Sequence, residues 1–366
     1  MSFNFNFPVR IFSGIGCVKA NKEYFRLGKH AFIVCGRSGA KLSGALTDVE
    51  SVLAELGIEL TVFNESCENP PLDMCLDGGK KCALSGADFV IGIGGGSALD
   101  ASKAVALFAT NPTIDKFDVF DATKKKNKPL PLIAISTTSG TGSEANGTSV
   151  MSLPDGEQKK SFSTEWPKYS FLDPAYTESL SESATMSCAL DAFAHAAESY
   201  LSPKSTDVSR LLATYAAKEI LPYFKSGGKN VDINVREALQ NAACAAGMAI
   251  SVTGTGAPHP LGYSLTMLDG VPHGSACAVF YKYYIEYNMK TEVGAQLLNE
   301  FCVSIGATPE LLAELIPSLS GVELSLSERE IEHHVSLIAG AKNYTNSPYV
   351  LSDEKKTQIY RNLFLK

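Results

Sequence analysis

The sequence predicts an α/β domain with a parallel sheet, followed by an all-helical domain. Its 366 residues fit two domains of roughly 100–200 residues each. Short apolar runs alternate with helix-spaced leucines in the first half of the chain. Strand signals nearly vanish after Asp173 and Pro174. We therefore place the boundary near residue 178, which gives domains 1–178 and 179–366.

The first half carries the strands. Short apolar or alternating runs predict strands at 30–35, 58–63, 89–93 and 130–136. Apolar residues at helical spacing predict helices at 40–56, 72–86 and 97–109. Because strands alternate with helices, the sheet should be parallel, with helices on both of its faces.

The second half has a helical pattern with few breaks. We expect helices at 185–201, 204–224, 235–250, 292–318, 327–342 and 352–364. Without intervening strands, these segments predict an all-α domain.

Composition excludes several classes of protein. The formal net charge is -7, and the basic cluster at 124–128 is too small to form a nucleic-acid groove. The N-terminus lacks the basic start and apolar core of a signal peptide. No run reaches the ~20 apolar residues of a membrane span. We therefore expect a cytoplasmic protein without nucleic-acid or membrane partners.

The nine cysteines are spread along the chain without any Cys-x-x-Cys pair. An odd count and this spacing argue against a disulfide framework and against a thiolate zinc knuckle. Most of these cysteines are expected to be small buried hydrophobic residues.

A glycine run joins the third predicted strand to the helix that follows it. It consists of Gly94, Gly95, Gly96 and Ser97. Without Cβ atoms the backbone can approach a pyrophosphate, and the free N–H groups at a helix start favour an anion. A tight turn without a ligand is the alternative. The run is not a G-x-G-x-x-G pattern, because Ser97 stands where the third glycine would be.

The loop after the fourth predicted strand, 136–144 (STTSGTGSE), is also small and polar. Hydroxyls and glycines leaving a strand end suit a polar ligand, while a flexible surface loop is the alternative. Two such loops on neighbouring strand ends predict a shared dinucleotide site.

The residues after the first predicted strand bear on the choice of dinucleotide. A carboxylate there would bind the adenosine ribose 2′-OH and repel a 2′-phosphate, and this stretch has none. Gly36 leaves room, while Arg37, Ser38 and Lys41 offer donors and positive charge. The stretch predicts a preference for NADP(H) over NAD(H). In the alternative, Arg37 and Lys41 simply point to solvent.

Four candidate metal ligands lie in the second half. Asp191 and His195 are spaced i, i+4 in a predicted helix and therefore project from one face. His259 and His273 each follow a proline in a segment of small residues, so each could be mounted on a loop. One carboxylate and three imidazoles suit Fe(II) or Zn(II). The alternative is a surface Asp–His pair with isolated structural histidines.

Together these motifs resemble the iron-containing alcohol dehydrogenase family. Residues 94–103 (GGGSALDASK) are similar to the family's phosphate-binding stretch, and 137–144 look like its second cofactor loop. Residues 191–198 (DAFAHAAE) resemble its first metal-ligand helix. Residues 259–262 (HPLG) and 272–274 (PHG) resemble the segments that hold the remaining ligands. The resemblance covers essentially the whole chain, in the right order.

The family implies a dehydroquinate synthase-like fold and reversible hydride transfer between a nicotinamide and a primary alcohol or aldehyde held on one divalent metal, iron or zinc. The implied metal ligands are Asp191, His195, His259 and His273. The implied cofactor residues are Gly94, Gly95, Gly96, Ser97, Asp100, Thr137, Thr138, Thr141 and Lys160, with Lys159 as an alternative match for Lys160. The resemblance also implies a homodimer or larger homo-oligomer.

The chain departs from the family pattern at three positions. Tyr263 stands four residues after His259, where many members carry a histidine often assigned to proton handling. Tyrosine, with a reference pKa of about 10, is a poor base near neutrality, so the proton is expected to pass through water, the cofactor ribose or Tyr263. Ser136 and Ser181 replace common prolines, and neither change removes a metal ligand.

Two alternatives stay open. A dehydroquinate-synthase-like lyase or a polyol-phosphate dehydrogenase would share the fold but need cationic recognition of a substrate phosphate. Residues 255–275 contain no Lys or Arg, which argues against it. A non-catalytic metal- or nucleotide-binding protein is the second alternative, and the intact Asp/His/His/His set argues against it.

Overall fold

The computed structural model describes residues 3, 5–154, 157–229 and 231–366. Its contacts divide the chain into two compact units. The α/β unit comprises Asn6–Leu180 and Asp232–Cys244, and the helical unit consists chiefly of Ser181–Val231 and Ala245–Lys366.

The α/β unit contains eight strands in its described part. They are β1 (Arg10–Ser13), β2 (His30–Gly36), β3 (Glu59–Ser66), β4 (Phe89–Gly94), β5 (Leu132–Ser136), β6 (Thr148–Ser152), β7 (Lys159–Ser163) and β8 (Tyr169–Leu172). The helices among them are α1 (Cys17–Ala20), α2 (Gly39–Leu42), α3 (Ala45–Leu56), α4 (Leu72–Ser85) and α5 (Gly96–Thr110).

Six of the strands form one parallel sheet in the order β1-β8-β5-β4-β2-β3. In its centre, Ile33 of β2 pairs with Ile91 of β4, and Ile91 pairs with Ile133 of β5. The strands β6 and β7 form a separate antiparallel ribbon. The carboxyl ends of β4 and β5 lead into the two loops that the sequence singled out.

Helices cover both faces of the sheet, and each face has its own core. Alternate residues of β2 show the division, because successive side chains of a strand point to opposite faces. Ile33 packs with α3 residues such as Val49, whereas Phe32 packs with α4 and α5 residues such as Cys75 and Val105. The continuous apolar strands are therefore those of a doubly covered parallel sheet.

The remaining helices lie after residue 181 and, except for the first part of α8, belong to the helical unit. They are α6 (Glu182–Leu201), α7 (Asp207–Lys225), α8 (Ile233–Thr253), α9 (Pro258–Leu268), α10 (His273–Ala278), α11 (Tyr281–Asn288), α12 (Glu292–Ile305), α13 (Pro309–Ser318), α14 (Glu328–Ile338) and α15 (Asp353–Phe364). No described residue from 181 onward lies in a strand longer than an isolated bridge. The predicted α/β plus all-α fold class is confirmed.

Several element boundaries differ from the sequence prediction. The predicted helix at 292–318 is two helices, α12 and α13. Gly306 closes α12 in a left-handed conformation with φ 70°, and Thr308 then caps α13, with Pro309 at its first position. The four-residue strands β1 and β8 were not predicted at all.

The first part of α8 packs with the α/β unit, although the sequence prediction assigned everything after residue 178 to the helical domain. Gln240 donates to the Ser136 carbonyl at 3.2 Å, and Arg236 donates to the Thr177 carbonyl. Helical periodicity identifies an apolar face but not the element that covers it, so the sequence could not show this packing.

No helix in the described ranges is both long enough and apolar enough to cross a bilayer.

Candidate active site

Helix α6 positions the first two predicted metal ligands. Ser181 caps this helix by accepting a hydrogen bond from the Ala184 N–H at 3.1 Å. Asp191 and His195 then project from one face, with Asp191 Oδ1 3.6 Å from His195 Nε2. Both side chains are buried, so this is not the solvated helix-surface pair considered as the alternative.

Two further helices bring His259 and His273 to the same carboxylate. His259 Nε2 lies 3.4 Å from Asp191 Oδ1, and His273 Nε2 lies 3.9 Å from it. The His259 ring stacks on that of His195, with the ring centroids 4.6 Å apart. The structure therefore brings together all four predicted metal ligands, within the helical unit.

The expectation that these two histidines could be loop-mounted is wrong. His259 is in the first turn of α9, directly after Pro258, and His273 is the first residue of α10, with Pro272 at the N-cap. Proline fits the first position of a helix because the missing N–H has no intrahelical partner there. The prolines that suggested loops are helix-start signals.

Two glycines set the close packing of these helices. A Cβ on Gly274 would lie 1.8 Å from the Ser187 carbonyl oxygen of α6. A Cβ on Gly262 of α9 would lie 2.8 Å from the backbone of Ala276 in α10. Only glycine permits these approaches, so the His-Gly pair at 273–274 is a signal of packing as well as of ligation.

The donor set fits a divalent cation. Among the described residues, neither Asp191 Oδ1 nor His259 Nε2 has a hydrogen-bond partner, although both are buried. Buried polar atoms are normally partnered. His259 Nε2 and His273 Nε2 lie 3.4 and 3.9 Å from Asp191 Oδ1. Two donors that each lie about 2.0–2.2 Å from one ion can be separated by such distances. A cation shared by the cluster would satisfy both orphaned atoms.

Glu198 of α6 holds His259 from the other side and was not among the predicted site residues. His259 Nδ1 donates to the carboxylate, 2.9 Å from each oxygen, and the Gly256 N–H donates to Glu198 Oε2 at 2.5 Å. This bond leaves His259 Nε2 facing Asp191. The sequence contained a signal, because Glu198 belongs to the 191–198 motif, but its partner lies 61 residues away.

The charges in the cluster are coupled. Burial alone would raise the pKa of Asp191, but His195, His259 and His273 outweigh burial and hold it below its usual range. Burial alone would lower the pKa of His259, but Glu198 and Asp191 outweigh burial and raise it to about 10. The protein therefore keeps Asp191 ionised and favours positive charge at His259.

Cys277 also lies in this cluster and is an exception to the expectation that most of the cysteines are small buried hydrophobic residues. Its Sγ, a carboxylate oxygen of Asp191 and a ring nitrogen each of His259 and His273 all lie within 4.8 Å of one another. The other cysteines that the structure buries include Cys17, Cys35, Cys75, Cys82, Cys244 and Cys302.

Tyr263 is placed beside the ligands. Its ring lies nearly parallel to that of His273, with centroids 5.9 Å apart. Desolvation raises the pKa of Tyr263, and its neighbours Cys277 and Glu198 raise it further. Its hydroxyl therefore stays protonated across the neutral range and can donate a proton more readily than accept one.

The glycine run forms a tight junction between β4 and α5. Gly94 has φ +149°, and Gly95 at the N-cap makes no side-chain cap, so the first N–H groups of α5 remain available. A Cβ on Gly95 would lie 2.9 Å from Thr138, and one on Gly96 would lie 2.4 Å from Thr141. The two predicted cofactor loops therefore meet, and this helix start fits an anionic phosphate.

Ser97 and Thr137 extend this junction. Ser97 Oγ accepts a hydrogen bond from the Asn69 N–H at 3.2 Å, and the Thr137 N–H donates to the Gly94 carbonyl at 3.0 Å. Asn69 has φ 51°, and it is the one non-glycine residue of the described chain with a positive φ. Asparagine is one of the few residues other than glycine that adopt this left-handed conformation readily.

Asp100 faces the protein interior. Its Oδ1 accepts a hydrogen bond from Ser143 Oγ at 2.5 Å and its Oδ2 accepts one from the Val150 N–H at 2.9 Å. Lys103, fully buried on the same helix, donates to Ser143 Oγ at 2.6 Å and to the Thr148 carbonyl at 2.8 Å. This pair joins α5 to the second cofactor loop and to β6, which is a positioning role.

The remaining predicted cofactor residues lie at the end of β2, next to β4 at the same carboxyl edge of the sheet, and on β7 of the separate ribbon. Gly36 ends β2, where a Cβ would lie 3.4 Å from the Ser66 carbonyl oxygen, and Arg37 and Ser38 follow it with exposed side chains. Lys160 lies on β7, with its Nζ 4.3 Å from the centre of the Phe120 ring.

Comparison with known proteins identifies the family. The model of the iron-containing alcohol dehydrogenases matches residues 8–174, and that of the C-terminal part of the Fe-containing alcohol dehydrogenase family matches 185–337. A sulfoacetaldehyde reductase of Bilophila wadsworthia is 34% identical, over 74% of this chain and 72% of its own. An NADPH-dependent butanol dehydrogenase of Clostridium saccharobutylicum is 28% identical, over 98% and 97%.

A solved structure shows the same architecture. An iron-containing alcohol dehydrogenase from Thermotoga maritima superposes with a TM-score of 0.92 at 33% identity, covering 99% of both chains. Both halves of the sequence and the whole fold are thus matched, and the chain belongs to the iron-containing alcohol dehydrogenase family.

Proposed function

We propose that this protein is a metal-dependent, NAD(P)-linked alcohol dehydrogenase that also reduces aldehydes, with Asp191, His195, His259 and His273 holding the metal. One observation carries the proposal. Four predicted donors converge, three of them buried and His273 partly exposed, in a cluster in which Asp191 Oδ1 and His259 Nε2 lack hydrogen-bond partners among the described residues. When bound, the metal supplies a Lewis acid that polarises the substrate carbonyl.

The chain's own residues support this chemistry in defined ways. Asp191 supplies a negative charge, because the imidazoles around it keep its pKa low. Glu198 accepts the Nδ1–H of His259 and so fixes the tautomer that turns Nε2 toward Asp191. A bound nicotinamide would supply the hydride, while the protein would supply position and electrostatics.

Tyr263 is the residue we place on the proton path. Its raised pKa keeps a proton on Oη at neutral pH, and the alkoxide of a reduced substrate is basic enough to take that proton. Tyr263→Phe keeps the ring beside His273 but removes that proton. We expect kcat for aldehyde reduction to fall by about tenfold or more. An unchanged kcat would assign the proton to solvent or to the cofactor ribose.

The nucleotide would lie on the α5 start, with its phosphates at Gly94, Gly95, Gly96 and Ser97. The uncapped N–H groups of this helix and the close approach of Thr138 and Thr141 support this placement. For Thr137, Asp100 and Lys160 the proposal rests on the family resemblance. Asp100 would act by holding the loop rather than by touching the cofactor.

We infer a preference for NADP(H) over NAD(H). The end of β2 carries no carboxylate, and the exposed side chains of Arg37, Ser38 and Lys41 offer a 2′-phosphate donors and positive charge. Arg37→Ala should lower kcat/KM for NADPH by roughly tenfold and leave that for NADH unchanged. The matched control is Arg329→Ala, an exposed arginine of α14. A clear NADH preference in the unmodified protein would contradict this inference.

Small primary alcohols and their aldehydes are the proposed substrates. The relatives' names, such as butanol dehydrogenase, support this class. Absence of Lys and Arg from 255–275 leaves no cation on the α9 and α10 ligand segments for a substrate phosphate. The test is oxidation of NADPH and NADH by the protein, reloaded with Fe(II) or Zn(II), against a panel of simple and phosphorylated aldehydes. Turnover confined to the phosphorylated compounds would contradict the proposed substrate class.

A homodimer or larger homo-oligomer and a cytoplasmic location stay predictions that rest on the resemblance and on the sequence. Light scattering of the purified protein measures its mass in solution. Fractionation of the source cells reports its location.

A further inference from the structure

Cys277 lies beside three of the proposed metal ligands, Asp191, His259 and His273. It is on α10, four residues after His273 and therefore on the same helix face. Its Sγ is 3.9 Å from His273 Nε2, and within 4.8 Å of an Asp191 carboxylate oxygen and a His259 ring nitrogen. The side chain has no exposed surface.

The backbone holds Cys277 firmly in this place. Helix α10 packs against α9 so closely that a Cβ on Gly262 would lie 3.1 Å from the Cys277 backbone nitrogen. One turn earlier, Gly274 presses α10 onto α6, where its Cβ would lie 1.8 Å from the Ser187 carbonyl oxygen. The sulfur is therefore fixed relative to the two helices that carry Asp191 and His259.

The sulfur of Cys277 lies beside buried polar atoms and not in an apolar core. Asp191 Oδ1 and His259 Nε2, both buried and both without hydrogen-bond partners in the described part of the chain, are in the same cluster. An apolar residue next to them would increase the cost of burying a charged carboxylate. If the sulfur, Asp191 Oδ1 and His259 Nε2 all coordinate one cation, the charge of the cation offsets the cost of burying the carboxylate.

The distance between Cys277 and His273 suits a shared ion. Metal–sulfur bonds to zinc are about 2.3 Å long and metal–nitrogen bonds about 2.0–2.1 Å, so two such donors can lie up to about 4.4 Å apart. The 3.9 Å from Cys277 Sγ to His273 Nε2 is within that limit. Sulfur is a soft ligand, which favours zinc over the harder divalent ions.

We propose that Cys277 is a sulfur ligand of the metal site, in addition to Asp191 and the three histidines, and that it biases the site toward Zn(II) over Fe(II). On coordination a sulfur–metal bond forms and the S–H proton passes to solvent. The proposal rests on the metal site of the proposed function. It concerns the identity of the donors, which can be measured without any turnover.

The test is the absorption spectrum of the Co(II)-loaded protein. A sulfur ligand gives Co(II) a near-ultraviolet charge-transfer band that nitrogen and oxygen ligands do not give. We expect this band in the unmodified protein and its loss in Cys277→Ala. Cys302→Ala is the matched control, because Cys302 is equally buried on α12 but is outside the donor cluster, and it should keep the band.

Zinc and iron competition provides the second readout. In Cys277→Ala, the affinity for Zn(II) relative to Fe(II) should fall by about tenfold or more, as measured by bound metal after equilibration with both ions. If Cys277→Ala does not fold, X-ray absorption at the zinc edge of the unmodified protein replaces it, and a sulfur shell at about 2.3 Å is then expected.

The outcomes separate this proposal from the proposed function. Stoichiometric metal without a sulfur band or sulfur shell would overturn the role of Cys277 and leave the metal site standing. A band that persists in Cys277→Ala would overturn it as well. A protein that binds neither Co(II) nor Zn(II) would overturn both the sulfur ligand and the metal-dependent function.

Discussion

Replacing Glu198 by glutamine should weaken metal binding without unfolding the protein. Glu198 has no exposed surface and accepts from two donors, the Nδ1–H of His259 and the N–H of Gly256. Glutamine keeps the shape of the side chain but replaces one acceptor oxygen by an NH₂ group, which is a donor only. Whichever oxygen is replaced, the Nδ1–H of His259 then lies 2.9 Å from a donor.

The magnitude follows from these two bonds. A buried donor left without an acceptor costs about 1–3 kcal/mol. Loss of a partner that orients a metal-ligating histidine typically lowers metal affinity by about 10–100-fold, which corresponds to roughly 1.4–2.7 kcal/mol. The two estimates agree, so we expect the Zn(II) dissociation constant of Glu198→Gln to rise by about 10–100-fold.

Competition with a chromogenic chelator measures this affinity, and circular dichroism verifies that the variant is folded. Glu182→Gln is the matched control, because Glu182 lies on the same helix with an exposed side chain. The control should bind Zn(II) like the unmodified protein. Equal Zn(II) affinity in folded Glu198→Gln and in the unmodified protein would refute the role of Glu198.

Three further predictions concern the α/β unit. Gly96→Ala places a Cβ 2.4 Å from Thr141, an overpacking that costs about 1–3 kcal/mol, so NADPH should bind more weakly in fluorescence titration. Unchanged NADPH binding would contradict the close approach of Gly96 and Thr141 as a requirement for the cofactor. Lys103→Met leaves Asp100 without its cation, so the free energy of unfolding measured in urea should fall by about 3–5 kcal/mol. An unchanged free energy of unfolding would contradict the stabilising role of the Lys103–Asp100 pair. Burial raises the pKa of Glu144 to about 7, so the folded state binds a proton that the unfolded chain releases at lower pH. The free energy of unfolding should therefore lose about 2–3 kcal/mol between about pH 5 and about pH 8. In urea titrations at both pH values, Glu144→Gln should not show this decrease in the free energy of unfolding. An equal decrease in the variant would assign the pH dependence to other groups.

The fold class followed from the sequence because its signals are local. Apolar runs such as 89–93 marked β4, and helical spacing marked α3 and α5. The order of the strands has no such signal, since it depends on which strands pair, and β1 and β8 are too short for a period to show. Pairing partners far apart in the chain are fixed by tertiary packing.

The site was only partly predictable, for the same reason. The i, i+4 spacing placed Asp191 and His195 on one helix face without further information. The nearness of His259 and His273 could be expected only from the family resemblance. Glu198, which orients His259, and Cys277, whose sulfur lies in the same cluster, are both far from His259 in sequence. No local pattern encodes contacts at such separations.

The most direct test of the central claim is turnover of one preparation before and after removal of its metal. The protein is stripped with a chelator, reloaded with Fe(II) or Zn(II), and assayed for NADPH and NADH oxidation with a simple aldehyde. The account predicts that activity disappears when the metal is removed and returns when it is restored. His273→Ala should stay inactive with either metal, whereas His333→Ala, a control on α14, should behave like the unmodified protein. Full activity in the stripped protein would contradict the account.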